Sequence, residues 1–371
     1  GYTHLRRRAL GPVLNPGKAA MRIAIVGAGP AGCHLAHRLG ACRDGRDETA
    51  HEILLFDPRA PYEKPCGGAL GPLIGRHLPD VMALPFSRHC PTRLLLRASD
   101  GSQVEQTLDP PPWAIASRED LGRALLDRAL ANGHVRLVRQ RVVDLELTGD
   151  GWCVRTTSGQ VFPADFLVGA DGVRSIVRRR VVGPIPRRHL GLAVGYRVQG
   201  MPDALMFQSF ADMEGYLWSF PRPDRASVGI GSRLGTIPAR DLWQRLDRFL
   251  DDTCPGAFRE RRWAGLLPMA RDASLWDTPC AGPGWALLGD AAGHVHPITG
   301  EGIAYALWSA ELLADAFGEG DPQVYDGLWR EQYGRGFMAA SDMLGPVDLD
   351  IGAYEIIFQV AMALPFPNRS V

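Results

Sequence analysis

Lysine is almost missing from this chain of 371 residues. Lys18 and Lys64 are the only two, and arginine supplies the remaining positive charge. The 41 basic side chains are matched by 41 acidic ones, so no global field draws the protein toward nucleic acid or an anionic membrane. The runs Arg6-Arg7-Arg8 and Arg178-Arg179-Arg180 lack interleaved aromatics and read as solvated surface, not as phosphate-tracking platforms. The seven cysteines are odd in number and show no CxxC spacing, which argues against a disulfide framework and against a zinc site. A reducing cytoplasm is therefore the expected compartment. No apolar run is long enough to cross a bilayer. The first twenty residues hold no apolar core of the signal-peptide kind, so residues 1–20 read as an upstream extension or an expression remnant.

With 46% apolar residues the chain can build a large core, expected as two interlocked domains. No internal repeat or low-complexity segment interrupts it. Residues 21–26, "MRIAIV", read as a buried strand. "GAGPAG" at 27–32 is the turn, "CHLAHRLG" a helix, and "EILLFD" a second strand ending at Asp57. Gly27, Gly29 and Gly32 allow a tight turn, close approach of a pyrophosphate and close helix packing. The helix N-terminus turns its positive end to the phosphates, and Asp57 would take the ribose hydroxyls. The polar stretch 38–51 reads as a surface loop. Residues 116–130 have helical spacing with Ser117 as N-cap, and residues 190–233 alternate as an antiparallel sheet. A helix is expected over 302–317 and mostly helix over 322–363.

Two more glycine-acid motifs separate a flavin from a nicotinamide. "VGADGVRSIVR" at 168–178 ends a strand in Asp171 and opens a helix. "WALLGDAAGHVHPITGEGIAYA" at 285–306 ends a strand at Gly289-Asp290 and opens a helix near Gly300. A carboxylate at such a strand end can accept from a ribityl hydroxyl. The helix start at Gly300-Glu301-Gly302 would aim N–H groups at the pyrimidine edge, where reduced flavin carries negative charge. Two ordinary strand-to-helix turns are the bland alternative.

In this order the motifs resemble FAD-dependent oxidoreductases of the aromatic-hydroxylase and geranylgeranyl-reductase type, over residues 21 to about 317. The resemblance implies an α/β fold. A discontinuous Rossmann-type FAD-binding domain (21–76, 110–185, 270–320) would interlock with an antiparallel substrate domain (77–109, 186–269) and a C-terminal helical segment (321–371). It implies an FAD site formed by Gly27, Gly29, Pro30, Ala31, Gly32, Asp57, Arg59, Arg118 near the pyrophosphate and Val142 against adenine. Asp171, Gly289, Asp290, Pro297, Gly300, Glu301, Gly302 and Ile303 would complete it.

Two stretches resemble the geranylgeranyl reductase branch: "KPCGGAL", and "YLWSFPRPDRASVG" at 216–229. Proline and paired glycines display Cys66 on a loop, either as a working thiol or as a small turn-filler. Tyr216, Trp218 and Phe220 share one strand face, with Pro221 next to them. They would form an apolar wall for a prenyl-like substrate, or simply core. Ala69 departs from the branch, where many members carry a third glycine. His294 and His296 could feed a proton to the site or serve as hydrogen-bonded structural residues.

The resulting expectation is an FAD enzyme that saturates carbon–carbon double bonds of an isoprenoid substrate, with Cys66, a histidine or water as proton source. "GIGSRLG" at 229–235 has the wrong spacing for a second dinucleotide site, so NADPH binding transiently, or a reduced ferredoxin-like protein, is the expected donor. The alternatives are a flavin monooxygenase and a non-catalytic prenyl-binding protein on the same fold. "YEIIFQVAMAL" at 354–364 offers a cavity lid or a peripheral membrane contact, with packing onto the core as the default.

Overall fold

The computed structural model describes residues 20–41 and 51–342. The chain opens with strand β1 (Arg22–Val26), helix α1 (Pro30–Gly40) and strand β2 (Glu52–Phe56). A hairpin of β3 (Arg93–Arg97) and β4 (Gln103–Thr107) precedes α2 (Arg118–Leu130), β5 (Val135–Val138) and β6 (Phe166–Gly169). Next come β7 (Leu190–Gln199), β8 (Leu205–Ser209), β9 (Gly215–Pro221), β10 (Ala226–Arg233), α3 (Ala239–Thr253) and β11 (Phe258–Pro268). Strand β12 (Trp285–Leu287) and helix α4 (Ile303–Gly318) complete the frame, and short helical segments run on to Asp342. The expected surface loop lies largely outside the described residues, as do the extension at 1–19 and the segment 354–364.

One six-stranded sheet runs Ala281–Gly282, β12, β6, β1, β2, β5. Its inner pairs are parallel, with Ile25 opposite Val168 on one side and Leu55 on the other. Covered on both faces, its strands read as unbroken apolar runs, and Ile23, Ala24, Ile25, Ile53 and Leu55 are wholly buried. Ser117 caps α2 by accepting from Glu119 N and Asp120 N.

The second sheet has seven strands in the order β11, β7, β10, β9, β8, β3, β4. The alternation over 190–233 produces its antiparallel part. The sequence did not signal the joint beside it, where β8 pairs in parallel with β3 from a hundred residues earlier in the chain. One face packs Val194, Met206, Leu217, Val228 and Ile230 against Leu242, Leu246 and Phe249 of α3. The other face carries Leu94, Leu96, Trp218 and Phe220 and turns toward the loops of the first sheet. "GIGSRLG" begins within β10, which accounts for its failure as a nucleotide turn. No helix among the described residues is long and apolar enough to cross a membrane.

Candidate active site

The three glycine-acid motifs converge. Gly27 holds φ +103, and a Cβ there would lie 2.4 Å from the Ala170 carbonyl, so the first motif rests directly on the second. A Cβ on Gly32 would lie 1.9 Å from the Gly27 carbonyl. Gly29 is different: nothing lies within 4 Å of its Cβ position. That open space sits at the N-terminus of α1, where Pro30 occupies the first turn with Ala31 and Gly32 buried behind it. A Cβ on Gly289 would lie 3.8 Å from that of Ala31, and one on Gly302 would lie 3.5 Å from Asp290 Oδ1. The third motif therefore closes on the first.

These residues fit FAD. The Gly29 cradle is open at a helix N-terminus, and two buried polar atoms nearby, Arg118 Nε and Asp171 Oδ1, have no partner in the protein. Asp171 Oδ2 accepts from Ile176 N at 2.7 Å, and burial raises its carboxyl above the ordinary value despite that bond. Asp57 accepts from Ala28 N through Oδ2, and from Arg59 N and Ala60 N through Oδ1, so it shapes the mouth of the turn as well as facing it. The Arg59 guanidinium lies over the Tyr62 ring at 4.6 Å. Val142 is buried at the start of its strand, in the hydrophobic core that includes the first sheet.

Asp290 accepts from Lys64 Nζ at 2.7 Å, across 226 residues. Burial raises its carboxyl, but Lys64 and then Arg118 outweigh that and hold it below the ordinary value. Arg118 is itself pulled down by burial and more than restored by Cys66 and Asp290. The single described lysine and the first arginine of α2 thus stand at the meeting of the Cys66 loop and the third motif.

The Cys66 loop is held from three sides. Gly68 N donates to Cys66 Sγ at 3.4 Å. The Cys66 carbonyl accepts from Ser227 Oγ at 3.0 Å and from Arg222 Nη2 at 3.2 Å, and the Gly67 carbonyl from Arg222 Nη2 at 3.4 Å. Arg222 Nη1 donates to Glu63 Oε1 at 2.7 Å. Glu63 Oε2 accepts from Ser117 Oγ and Glu119 N, tying the clamp to the start of α2. Burial raises the Glu63 carboxyl, but the Arg222 charge and these bonds leave it below the ordinary value. Sequence reasoning missed Arg222, Ser227 and Glu63. The one signal was that both motifs of the branch carry a charge at their edge, Glu63 before the cysteine and Arg222 after the aromatics. Ala69, the departure from the branch, begins a two-residue strand paired with Ala114–Ala116 and has room for its methyl there. Gly68 at φ +84 does not, since a Cβ would lie 2.1 Å from the Ala116 carbonyl.

Gly67 lies against the aromatic face. A Cβ there would lie 2.5 Å from the Phe220 ring and 3.2 Å from Trp218 Nε1, which is buried without a partner. Tyr216, Trp218 and Phe220 form one run with ring centroids 5.9 and 6.2 Å apart, joined by Phe207 and Trp263. Gly229 and Gly195 on the neighbouring strands leave room for the Trp218 and Trp263 indoles to lie across the sheet. Pro221 ends the strand, buried.

His294 and His296 require a correction as proton sources. His294 is fully buried, shares a hydrogen bond with Tyr333 Oη through Nδ1 at 2.9 Å and lies against Trp329. Burial lowers its pKa to about 3, and that of His296, packed between Tyr305 and Phe337, to about 4. Neither imidazole carries a proton to give up from its charged form near neutral pH. They are packing groups beneath the third motif, beside buried Pro297. No group of residues among those described could hold a metal ion.

Comparison with known proteins agrees with this geometry. Residues 107–316 match the FAD dependent oxidoreductase family. The chain is 29% identical to a menaquinone reductase of Mycolicibacterium smegmatis, over 86% of this chain and 82% of that protein. It is 27% identical to digeranylgeranylglycerophospholipid reductase 2 of Methanopyrus kandleri, over 86% and 84%. The solved structure of a geranylgeranyl bacteriochlorophyll reductase-like protein from Thermoplasma acidophilum superposes with a TM-score of 0.70, at 21% identity, over 93% of this chain and 91% of that one, which shows a shared fold. The chain therefore belongs to the FAD dependent oxidoreductase family, and within it is an enzyme of the geranylgeranyl reductase-like kind.

Proposed function

We propose that the protein saturates carbon–carbon double bonds of an isoprenoid chain. The observation that carries this reading is the clamped Cys66 loop laid directly on the Trp218–Phe220 face. A thiol-bearing loop and an extended apolar wall meet there, which suits a long apolar substrate better than a small polar one. Two relatives are named as reductases of molecules that carry isoprenoid chains, which supports the same class. When bound, reduced FAD would supply a hydride, one proton with two electrons, to one alkene carbon. The other roles fall to the chain. Tyr216, Trp218 and Phe220 orient the polyprenyl chain and exclude water. Arg222, Ser227 and Glu63 fix the loop, and Cys66 gives a proton to the second carbon. Lys64 and Asp290 frame the ribityl position. Only one strand–GxGxxG–helix unit occurs among the described residues, so the electron donor, NADPH or a small ferredoxin-like protein, visits and leaves.

The test is anaerobic. The reduced enzyme is offered a digeranylgeranyl lipid, a menaquinone and an aromatic acid, and products are read by mass. Gain of two hydrogens per double bond on the isoprenoids is expected. Gain of an oxygen atom on any of them under air, with no hydrogenation, would overturn the reading in favour of a monooxygenase.

A further inference from the structure

One residue belongs to two parts of the molecule at once. The Tyr216 ring stands in the aromatic run of β9, with centroids 5.9 Å from Trp218 and 5.7 Å from Phe207. Its hydroxyl leaves that run and donates to the Thr299 carbonyl at 2.5 Å, across 83 residues. A Cβ on Gly300 would stand 3.5 Å from the Tyr216 Oη, so the hydroxyl lies against this one peptide.

The receiving turn is knitted from within. Thr299 N donates to Nδ1 of the neutral His296 ring at 3.2 Å, and Gly300 N donates to the His296 carbonyl at 3.0 Å. Glu301 N donates to Thr299 Oγ1 at 3.3 Å, and His296 N to the Glu301 carbonyl at 2.9 Å. Gly300 takes φ +68, which a side chain would strain. The turn feeds straight into α4 through Gly302, beside Asp290. On another side it rests on Gly71, where an added Cβ would stand 2.4 Å from Glu301 Oε1. The internal bonds fix the shape of the turn. The Tyr216 bond fixes where the seven-stranded sheet stands against it.

A polyprenyl chain repeats one unit, so an apolar wall holds it nearly as well after a slip of one unit. Burial is non-directional, whereas a hydrogen bond has a length and a direction. Which double bond is presented then depends on how firmly the wall is set relative to the third motif. We infer that Tyr216 is a positioning residue that locks the aromatic wall in register with the turn at residues 296–302, and so decides which double bond of the chain is reduced first. The inference rests on the reductase reading. The ring serves the wall, and the hydroxyl serves the lock.

Two measurements on the FAD-loaded enzyme test this. Tyr216→Phe keeps the ring and removes the donor. Amide hydrogen exchange over residues 296–302 should quicken roughly tenfold in this variant, since the turn loses its tie to the sheet. Limited reduction of a digeranylgeranyl lipid, with products mapped by tandem mass spectrometry, should show a preferred order of saturation in the wild type. Tyr216→Phe should scramble that order and lower kcat by roughly 10–10²-fold, with KM for the lipid near the parent value because the wall is intact. Tyr216→Ala removes ring and hydroxyl together and should raise KM as well. Gly300→Ala strains the same peptide from the turn side and should scramble the order too, an independent handle should Tyr216→Phe fail to fold. Unaltered exchange in Tyr216→Phe, an order of saturation kept in Tyr216→Phe or in Gly300→Ala, or no preferred order in the wild type would overturn the lock alone. If exchange quickens in Tyr216→Phe but the wild type hydrogenates no double bond, the reductase reading falls, and the positioning role with it.

Discussion

Arg222→Ala removes the centre of the clamp, and the structure sets its cost. The guanidinium is 5% exposed and the Glu63 carboxylate 13%. Loss of Arg222 leaves Glu63 buried and short of its main counter-charge, and leaves the Gly67 carbonyl without the Nη2 bond. Breaking one side of a buried ion pair costs about 3–5 kcal/mol. Ser117 and Glu119 N still bond Glu63, and Ser227 still bonds the Cys66 carbonyl, so the low end, about 3 kcal/mol, is expected. The loss depends on pH in a defined direction. The Glu63 carboxyl is depressed in the folded protein, so its contribution is present above the unfolded value near 4.3 and fades as pH falls through the lower folded value. The gap between wild type and Arg222→Ala must therefore narrow on acidification below about pH 4. Urea unfolding across that range measures it. Glu63→Gln with Arg222→Ala supplies the double-mutant cycle, with an expected coupling of about 2–3 kcal/mol at neutral pH. Additive effects at neutral pH, or a gap independent of pH, would refute the clamp as an ion pair. With the clamp gone and FAD retained, oxidation of the reduced enzyme by alkene should slow, because the Cys66 loop drifts from the aromatic wall.

Three more outcomes are expected. Asp290→Ala should weaken FAD binding by about 1–3 kcal/mol, as Lys64 and a ribityl hydroxyl both lose their acceptor, and flavin fluorescence released on dilution reads the loss directly. Cys66→Ala should keep FAD and its reduction while oxidation by alkene falls by roughly 10²–10⁴-fold, with Cys66→Ser between, and unchanged oxidation would remove the thiol from the reaction. Because the His294 pKa is lowered to about 3, the unfolded chain binds the extra proton first. This histidine should therefore withdraw stability as pH falls from about 6.5, by about 1.4 kcal/mol per pH unit. His294→Gln should flatten the unfolding free energy from about pH 6.5, the free imidazole value, down to about pH 5, and an equally steep curve would place the imidazole elsewhere.

The cofactor class was legible because each glycine-acid motif is local. Gly27 must turn at positive φ, Gly32 must admit the Gly27 carbonyl, and a carboxylate must end the strand, all within a few residues. The aromatic stripe was legible for the same reason, since alternation along β9 dictates a common face. The first sheet announced itself through unbroken apolar strands. Distant contacts left no such trace. Arg222 meets Cys66 across 156 residues, Lys64 meets Asp290 across 226, and β3 joins β8 in parallel, each fixed by where the folded chain brings independent segments. Protonation was equally hidden. Read as letters, His294 and His296 look like available proton donors. Burial, a property of the assembled fold, is the main force that drives the histidines neutral and raises the Glu301 carboxyl to about 7.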